Sequence, residues 1–204
     1  MSPTLNLLLL DFDGVLAEYA RPLRFAHLAD STGSTPERVA AALFDSGLET
    51  AYDGGELSTA DYLRRLSEDL GAPVDEPTWI AARVAACSVD TRVQEMVQQV
   101  AARMPVAVLT NNGALMAGAV PLIVPALAEP LRGRVLCSGA LGGRKPQAQV
   151  YERALARLGA SAATTLFIDN LFVNVRGARA AGLHADTVSG AASMRRVLRR
   201  FGLV

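Results

Sequence analysis

Two carboxylates directly follow the first apolar run of the chain. In the segment LLLLDFDGVL, Leu7–Leu10 reads as a buried strand, and Asp11 and Asp13 come immediately before Gly14. Beyond a strand, side chains two residues apart can point into one crevice, and a glycine lets the backbone turn sharply. Two like charges in one small space are costly unless a cation neutralises them or one of them holds a proton. An isolated DxDG segment is equally compatible with a simple turn that ends the strand.

Three further segments place polar groups at or near the end of an apolar run or before a helix-like segment. The groups are Thr110, Asn111 and Asn112, then Lys145, then Asp169 and Asn170. Hydroxyls and amides are neutral donors that suit phosphate oxygens, and a lysine supplies a mobile positive charge. Ligands of open α/β sheets bind outside the carboxyl ends of the strands. Together the four segments predict a phosphate-handling site.

In order and spacing, these segments resemble the motifs of the haloacid dehalogenase-like hydrolase superfamily over nearly the whole chain. DFDGVL resembles the first motif, Thr110 and Asn111 the second, Lys145 the third, and Asp169-Asn170 with Asn174 the fourth. The stretches GGRKPQAQVYERAL and FIDNLFVNVRGARAAGL are similar to the capped subfamily I type. Within that type they most resemble glucose-1-phosphate phosphatase-like members and the N-terminal phosphatase domain of soluble epoxide hydrolases.

The resemblance implies a role for each group. Asp11 is the expected nucleophile, Asp13 the general acid and base, and Lys145 the group that holds nucleophile and phosphate together. The expected substrate-binding residues are Gly14, Thr110, Asn111 and Asn112, and the expected ligands of a Mg²⁺ cofactor are Asp11, Asp13, Asp169 and Asn170. Such a site hydrolyses a phosphate ester through an aspartyl-phosphate intermediate.

Two positions depart from the family pattern. The fourth motif commonly reads Asp-Asp, whereas this chain has Asp169-Asn170. Losing a full charge a few ångströms from Mg²⁺ should weaken its binding by about 1–3 kcal/mol after screening. Gln147 stands where many relatives have an acidic residue, and we expect it to cap or flank a helix.

Three functions remain open from the sequence. The favoured one is a Mg²⁺-dependent phosphatase of a small phosphorylated metabolite, with sugar phosphates as one candidate class. The second is dehalogenation of a 2-haloacid, which has less use for Asp13 because a halide leaves without a proton. The third, motivated by Asn170, is a catalytically weakened relative that binds a phosphorylated ligand or a protein partner.

The pattern of elements predicts an α/β fold: a Rossmann-like parallel sheet with helices on both faces and a small helical cap inserted after the first strand. We expect a core domain of residues 1–16 and 87–204 and a cap domain of residues 17–86, which shows helix signals and no convincing strand. Thr35-Pro36-Glu37 reads as one helix start and Ser58 with Asp61 as another. Further strands are expected at 105–109, 135–137, 165–168 and 183–187.

Composition favours a compact enzyme. The 204 residues carry 20 basic and 20 acidic side chains, which argues against a nucleic-acid or anionic-membrane partner. The first residues lack the pattern of a signal peptide, so we expect a cytoplasmic protein. Cys87 and Cys137 form no disulfide framework, and His27 and His184 are expected to be structural or on the surface. The sequence leaves the oligomeric state open.

Overall fold

A computed structural model describes residues 4–204 and shows a five-stranded parallel sheet. The strands of this sheet are β1 (Leu7–Leu10), β4 (Val106–Thr110), β5 (Val135–Cys137), β6 (Thr165–Asp169) and β7 (His184–Thr187). Two shorter strands, β2 (Glu18–Tyr19) and β3 (Cys87–Ser88), form a separate pair. The order across the sheet is β5-β4-β1-β6-β7, and every neighbouring pair is parallel. The predicted α/β fold with a parallel sheet is therefore confirmed.

The central strand explains why the sheet is buried on both faces. Alternate side chains of β1 enter two separate apolar clusters, with Leu8 and Leu10 in one and Leu7 and Leu9 in the other. Successive side chains of a strand point to opposite faces, so a run of four leucines fits only a strand that is covered on both sides. Its carboxyl end therefore delivers Asp11 to the middle of the sheet edge.

Helices connect the strands and cover the sheet. They are α1 (Arg21–Thr32), α2 (Pro36–Ala40), α3 (Leu48–Gly54), α4 (Thr59–Leu70), α5 (Glu76–Ala85), α6 (Thr91–Ala101), α7 (Met116–Ile123), α8 (Ser138–Leu141), α9 (Ala148–Leu158), α10 (Phe172–Ala180) and α11 (Ala191–Arg200). A π-helical segment covers Ala41–Asp45, and 3₁₀ turns cover Pro125–Leu127 and Ala162–Thr164. Both predicted helix starts are confirmed, since Thr35 and Ser58 each accept a hydrogen bond from a backbone N–H three residues later.

The first five helices form an insertion between β2 and β3, which we call the helical insertion (residues 21–85). The two short strands pair antiparallel, with Glu18 opposite Ser88 and Tyr19 opposite Cys87. The expectation that residues 17–86 contain no strand is wrong at this point. Two-residue strands are too short to show a period of two, so only their pairing reveals them. We call the pair of β2 and β3 the ribbon; it lies where the chain enters and leaves the insertion.

The helical insertion has a polar network inside its own apolar core. Arg24 Nη1 lies 2.5 Å from Glu49 Oε1, and Tyr62 donates a hydrogen bond of 2.5 Å to Glu49 Oε2. Trp79 Nε1 donates to the Tyr62 hydroxyl at 2.9 Å. These groups are buried and bonded to one another, with only Arg24 Nε left without a partner among them, so the network holds α1, α3, α4 and α5 together.

The insertion is seated closely on the loop that follows β4. Tyr52 and Asp53 of α3 accept hydrogen bonds from the backbone N–H groups of Leu115 and Gly113, at 3.0 and 2.8 Å. A Cβ added at Gly113 would lie 2.1 Å from the Tyr52 ring. Only glycine permits this approach, so α3 and the loop act as one contact.

Among residues 4–204, no helix is both long enough and apolar enough to cross a membrane.

Candidate active site

The predicted nucleophile lies beside the predicted lysine at the carboxyl edge of the sheet. Lys145 Nζ is 2.7 Å from Asp11 Oδ1 and 2.8 Å from Asp169 Oδ2, and all three side chains are buried. Leu10 pairs with Ile168, so the parallel strands β1 and β6 end side by side and bring the two carboxylates together. One ammonium thus contacts two carboxyl groups at the strand ends.

Burial raises the pKa of Asp11 from 3.8 to about 7. The Lys145 ammonium opposes this rise in the pKa, whereas the charge of Asp169 adds to it. Both close contacts of Asp11 within the described residues, from Lys145 and from the Phe12 N–H at 2.7 Å, are made to Oδ1. Oδ2 is therefore the oxygen available to a ligand.

Asp169 is held rigidly by its own loop. Asn174 Nδ2 donates to both carboxylate oxygens, at 3.1 and 3.0 Å, and the Leu171 N–H donates to Oδ1 at 2.8 Å. With Lys145 on Oδ2, both oxygens of Asp169 are engaged. Asp169 anchors the lysine in this arrangement, and its expected role as a metal ligand stays a prediction.

Asn111 connects the second predicted segment to the third. Its side-chain oxygen accepts from the Lys145 backbone N–H at 2.9 Å, and its Nδ2 donates to the Lys145 carbonyl at 3.0 Å. Both ends of the amide are used to hold the lysine backbone. Asn111 therefore places Lys145, while its expected contact with substrate stays a prediction.

Asp13, the predicted acid and base, lies among a second set of groups. Asn112 Nδ2 donates to Asp13 Oδ2 at 3.2 Å and to Thr110 Oγ1 at 2.7 Å. Arg83 Nη2 from α5 lies 2.5 Å from each carboxylate oxygen of Asp13. The side chain of Asp13 is 31% exposed, so the carboxylate still reaches solvent at the crevice. The structure thus places the two aspartates in two different hydrogen-bonded settings.

Gly14 and Asn170 contact each other across the β1 and β6 loops. Gly14 has φ of +78°, and a Cβ added there would lie 2.2 Å from Asn170 Nδ2. Both the left-handed backbone and the close approach require glycine. The contact brings Asn170 to the loop of the two aspartates, and the expected binding of substrate by Gly14 stays a prediction.

The donor set suits a Mg²⁺ ion that keeps several of its waters. Among the residues that the structure describes, no three His, Cys, Asp or Glu side chains converge as a metal cluster. Asp11 and the exposed Asn170 nevertheless supply hard oxygens at the carboxyl edge of the sheet. Mg²⁺ accepts such a sparse set, because water and phosphate oxygens fill its remaining positions.

Arg83 is the site residue that the sequence did not single out. It is 1% exposed although it lies on a helix, where an arginine usually faces solvent. The available signal was its spacing, since Trp79 and Arg83 are four residues apart on the apolar face of α5.

Four further polar side chains, those of Tyr52, Asp53, Arg24 and His184, make their hydrogen bonds outside the cluster of motif residues. Tyr52 and Asp53 hold the backbone at Gly113 and Leu115, and Arg24 pairs with Glu49 inside the insertion. His184 Nε2 lies 3.1 Å from the Ala163 carbonyl, away from the site. Their contacts are structural.

Comparisons with known proteins agree with the fold and identify the family. The family model described as haloacid dehalogenase-like hydrolase matches residues 5–182. Phosphatase MT3486 of Mycobacterium tuberculosis (strain CDC 1551 / Oshkosh) is 38% identical over 85 residues, which is 42% of this chain and 39% of that protein. The match therefore spans about two-fifths of the length of this curated relative.

Solved structures share the whole architecture at low identity. A haloacid dehalogenase-family enzyme of Bacteroides thetaiotaomicron, bt-2542, in complex with magnesium and inorganic phosphate, has a TM-score of 0.73 at 18% identity and covers 91% of this chain and 96% of its own. A 2-haloacid dehalogenase of Pseudomonas syringae pv. Tomato DC3000 has a TM-score of 0.69 at 16% identity, over 98% and 100% of the two chains. At such identities the likeness shows the fold.

The family model covers most of the chain. The protein belongs to the haloacid dehalogenase-like hydrolases.

Proposed function

We propose that this protein is a Mg²⁺-dependent phosphatase that hydrolyses a small phosphorylated metabolite through an aspartyl-phosphate intermediate. The observation that supports it most is the pair of settings of Asp11 and Asp13. Asp11 lies against Lys145 with one oxygen available, and Asp13 lies two residues away among Arg83 and Asn112. A nucleophile and a separate proton carrier are what two-step ester hydrolysis needs.

Each step then has an assigned group. Asp11 Oδ2 attacks phosphorus, the ester P–O bond breaks, and protonated Asp13 gives its proton to the leaving oxygen. Ionised Asp13 next takes a proton from water as that water attacks phosphorus, and the bond from phosphorus to Asp11 breaks. Lys145 stays beside the transferred group and offsets its charge, since positioning and electrostatics dominate phosphoryl transfer.

Within this proposal, Asp11 and Asn170 hold the metal, and Asp13 and Asp169 are the other two ligands in the predicted set. Bound Mg²⁺ supplies positive charge to the phosphoryl oxygens. Thr110, Asn112 and the backbone at Gly14 complete the surroundings of the phosphate. Asn170 is the weakest Mg²⁺ ligand of the four, because an amide oxygen carries no full charge.

We further propose that residues 17–86 are a cap over a core of residues 1–16 and 87–204. The ribbon of β2 and β3 crosses between the two parts, and Arg83 brings a side chain of the insertion to Asp13. A cap in this place selects the leaving group, which fits the capped subfamily I and its glucose-1-phosphate phosphatase-like members. The proposed setting is the cytoplasm, with a free small molecule as substrate.

Dehalogenation is the second candidate, because 2-haloacid dehalogenases share the fold. Their halide leaves without a proton, so the hydrogen-bonded placement of Asp13 favours ester hydrolysis over dehalogenation. A weakened, ligand-binding relative is the third candidate and rests on Asn170 alone.

The test is hydrolysis of 4-nitrophenyl phosphate across a Mg²⁺ titration, with chloride release from 2-chloropropionate measured in parallel. We expect Mg²⁺-dependent phosphate release by the parent and none by Asp11→Asn. Asn170→Asp should lower the Mg²⁺ concentration for half-maximal activity by about 5- to 150-fold, which corresponds to about 1–3 kcal/mol. Asn6→Asp is the matched control, because Asn6 is exposed and precedes β1 at the opposite end of the strand.

The other outcomes contradict the proposed mechanism or favour one of the two other functions. Metal-independent turnover, or turnover that survives in Asp11→Asn, contradicts the proposed mechanism. Chloride release without phosphate release favours the dehalogenase. An inactive parent that gains activity in Asn170→Asp favours the weakened relative.

A further inference from the structure

Arg83 is held in place by three parts of the molecule. Its Nη2 contacts both oxygens of Asp13 at 2.5 Å, and its Nε donates to Met116 Sδ at 3.2 Å. The flat face of the guanidinium lies over the Tyr19 ring, with Cζ 3.6 Å from the ring centroid. The side chain therefore joins α5 to the β2 ribbon and to the core of the protein. Its charge interacts with Asp13 and with the ring.

One nitrogen of this guanidinium has no partner. Nη1 is among the few buried side-chain polar atoms of the described residues that make no hydrogen bond. Leaving such a group unpaired costs about 1–3 kcal/mol, and an apolar side chain would fill the space without that cost. Arg24 also has one unpaired buried nitrogen, Nε, but its charged partner Glu49 lies within the insertion, whereas Asp13 lies outside it. The contact with Asp13, together with the stacking on Tyr19, therefore accounts for an arginine at position 83.

We infer that Arg83 is a positioning residue that orients Asp13 for proton transfer to the leaving oxygen, so that proton transfer depends on the placement of the helical insertion. The inference rests on the proposed phosphatase function and adds a residue to it. Asp13 follows β1 in a loop, where little besides Asn112 restrains its carboxyl group. Arg83 lies four residues before Cys87 of the ribbon, near the end of α5 at Ala85, and it stacks on Tyr19 of the other ribbon strand. A shift of the insertion at the ribbon therefore moves the group that orients the acid.

The leaving group of the substrate provides a specific test. Protonation by a positioned acid contributes about 10²- to 10⁴-fold for a poor leaving group and much less for one that departs as a stable anion. We expect Arg83→Met to lower kcat for an alkyl ester, glycerol 1-phosphate, by at least about 100-fold. For 4-nitrophenyl phosphate the loss should stay within about 10-fold. Arg83→Lys, which keeps the charge, should show the same preference to a smaller degree.

Arg24→Lys is the matched control. Arg24 is also a buried arginine of the insertion, it pairs with Glu49, and it lies over the Trp79 ring at 4.9 Å without touching Asp13. Its replacement should lower activity on both esters by the same factor. In an Asp13→Asn background, Arg83→Met should cause no additional loss that depends on the leaving group, because the group that it positions is gone.

Equal losses on the two esters in both Arg83 variants overturn the inference. So does a leaving-group preference of the same size in Arg24→Lys, or one that persists in the Asp13→Asn background. A parent that hydrolyses neither ester refutes the phosphatase proposal itself and this inference with it. An active parent whose Arg83 variants lose both activities equally refutes only the role of Arg83.

Discussion

Asp11 and Asp13 should respond in opposite ways to the same substitution in the metal-free protein. Asp11→Asn removes a carboxylate that is buried beside Asp169, whereas Asp13→Asn removes the partner of the buried Arg83. We expect the first variant to be more stable than the parent above pH 7 and the second to be less stable.

The magnitude for Asp11 follows from its pKa, which burial raises from 3.8 to about 7. Between these two values the native protein holds a proton that the unfolded chain has already lost. The free energy of unfolding therefore falls progressively as the pH rises from about 4 to about 7, and the loss is constant above that. The difference between these two pKa values corresponds to an upper bound of about 4 kcal/mol for this loss. Since Asn forgoes the ion pair with Lys145, we expect a gain of about 1–3 kcal/mol at pH 8.

The magnitude for Asp13 follows from burial of its partner. Breaking a buried ion pair by removing one member costs about 3–5 kcal/mol. Because the side chain of Asp13 is 31% exposed, screening reduces this cost, and we expect a loss of about 1–3 kcal/mol at pH 8.

Urea unfolding in EDTA at pH 4.5, 6 and 8 measures both effects. Circular dichroism follows the whole chain, and fluorescence of Trp79, the only tryptophan, follows the helical insertion. The difference between Asp11→Asn and the parent should grow from pH 4.5 to pH 8. A gain that does not change with pH, or destabilisation of both variants at pH 8, would refute the reasoning.

Three other predictions concern the contacts around the site. Asp53→Asn should raise the free energy of unfolding at pH 8 more than at pH 4.5, because burial raises the pKa of Asp53 to about 7; the exposed Asp30→Asn is the control in urea unfolding. Gly113→Ala should cost about 2–4 kcal/mol by forcing a Cβ against the Tyr52 ring, whereas Gly54→Ala, with 3.6 Å to the nearest atom, should change thermal unfolding little. Lys145 is the only lysine and is 4% exposed, so acetic anhydride should label its ε-amine in urea but not in the native protein, as mass analysis of peptides would show; equal labelling in both states would contradict its burial.

Local features of the chain determined most of the sheet and its carboxyl edge. Four leucines in a row fit only a strand covered on both faces, and polar residues directly after such strands lie at the same sheet edge. Helix starts at Thr35 and Ser58 were equally visible, because a cap is a contact between residues three apart. These features depend on neighbours in the sequence, so periodicity and residue type reveal them.

Long-range contacts decided what each polar side chain does. Arg83 contacts Asp13, which lies 70 residues away in the sequence. The side-chain amide of Asn111 hydrogen-bonds to the backbone of Lys145, 34 residues later. The spacing of Trp79 and Arg83 places the arginine on the apolar face of α5 but does not identify Asp13 as its partner, and nothing near Asn111 marks its partner. The two-residue ribbon was also invisible, since its strands exist only as a pair. The sequence by itself determined which groups reach the sheet edge, and only the tertiary structure decided their partners, because those partners come from distant segments packed together.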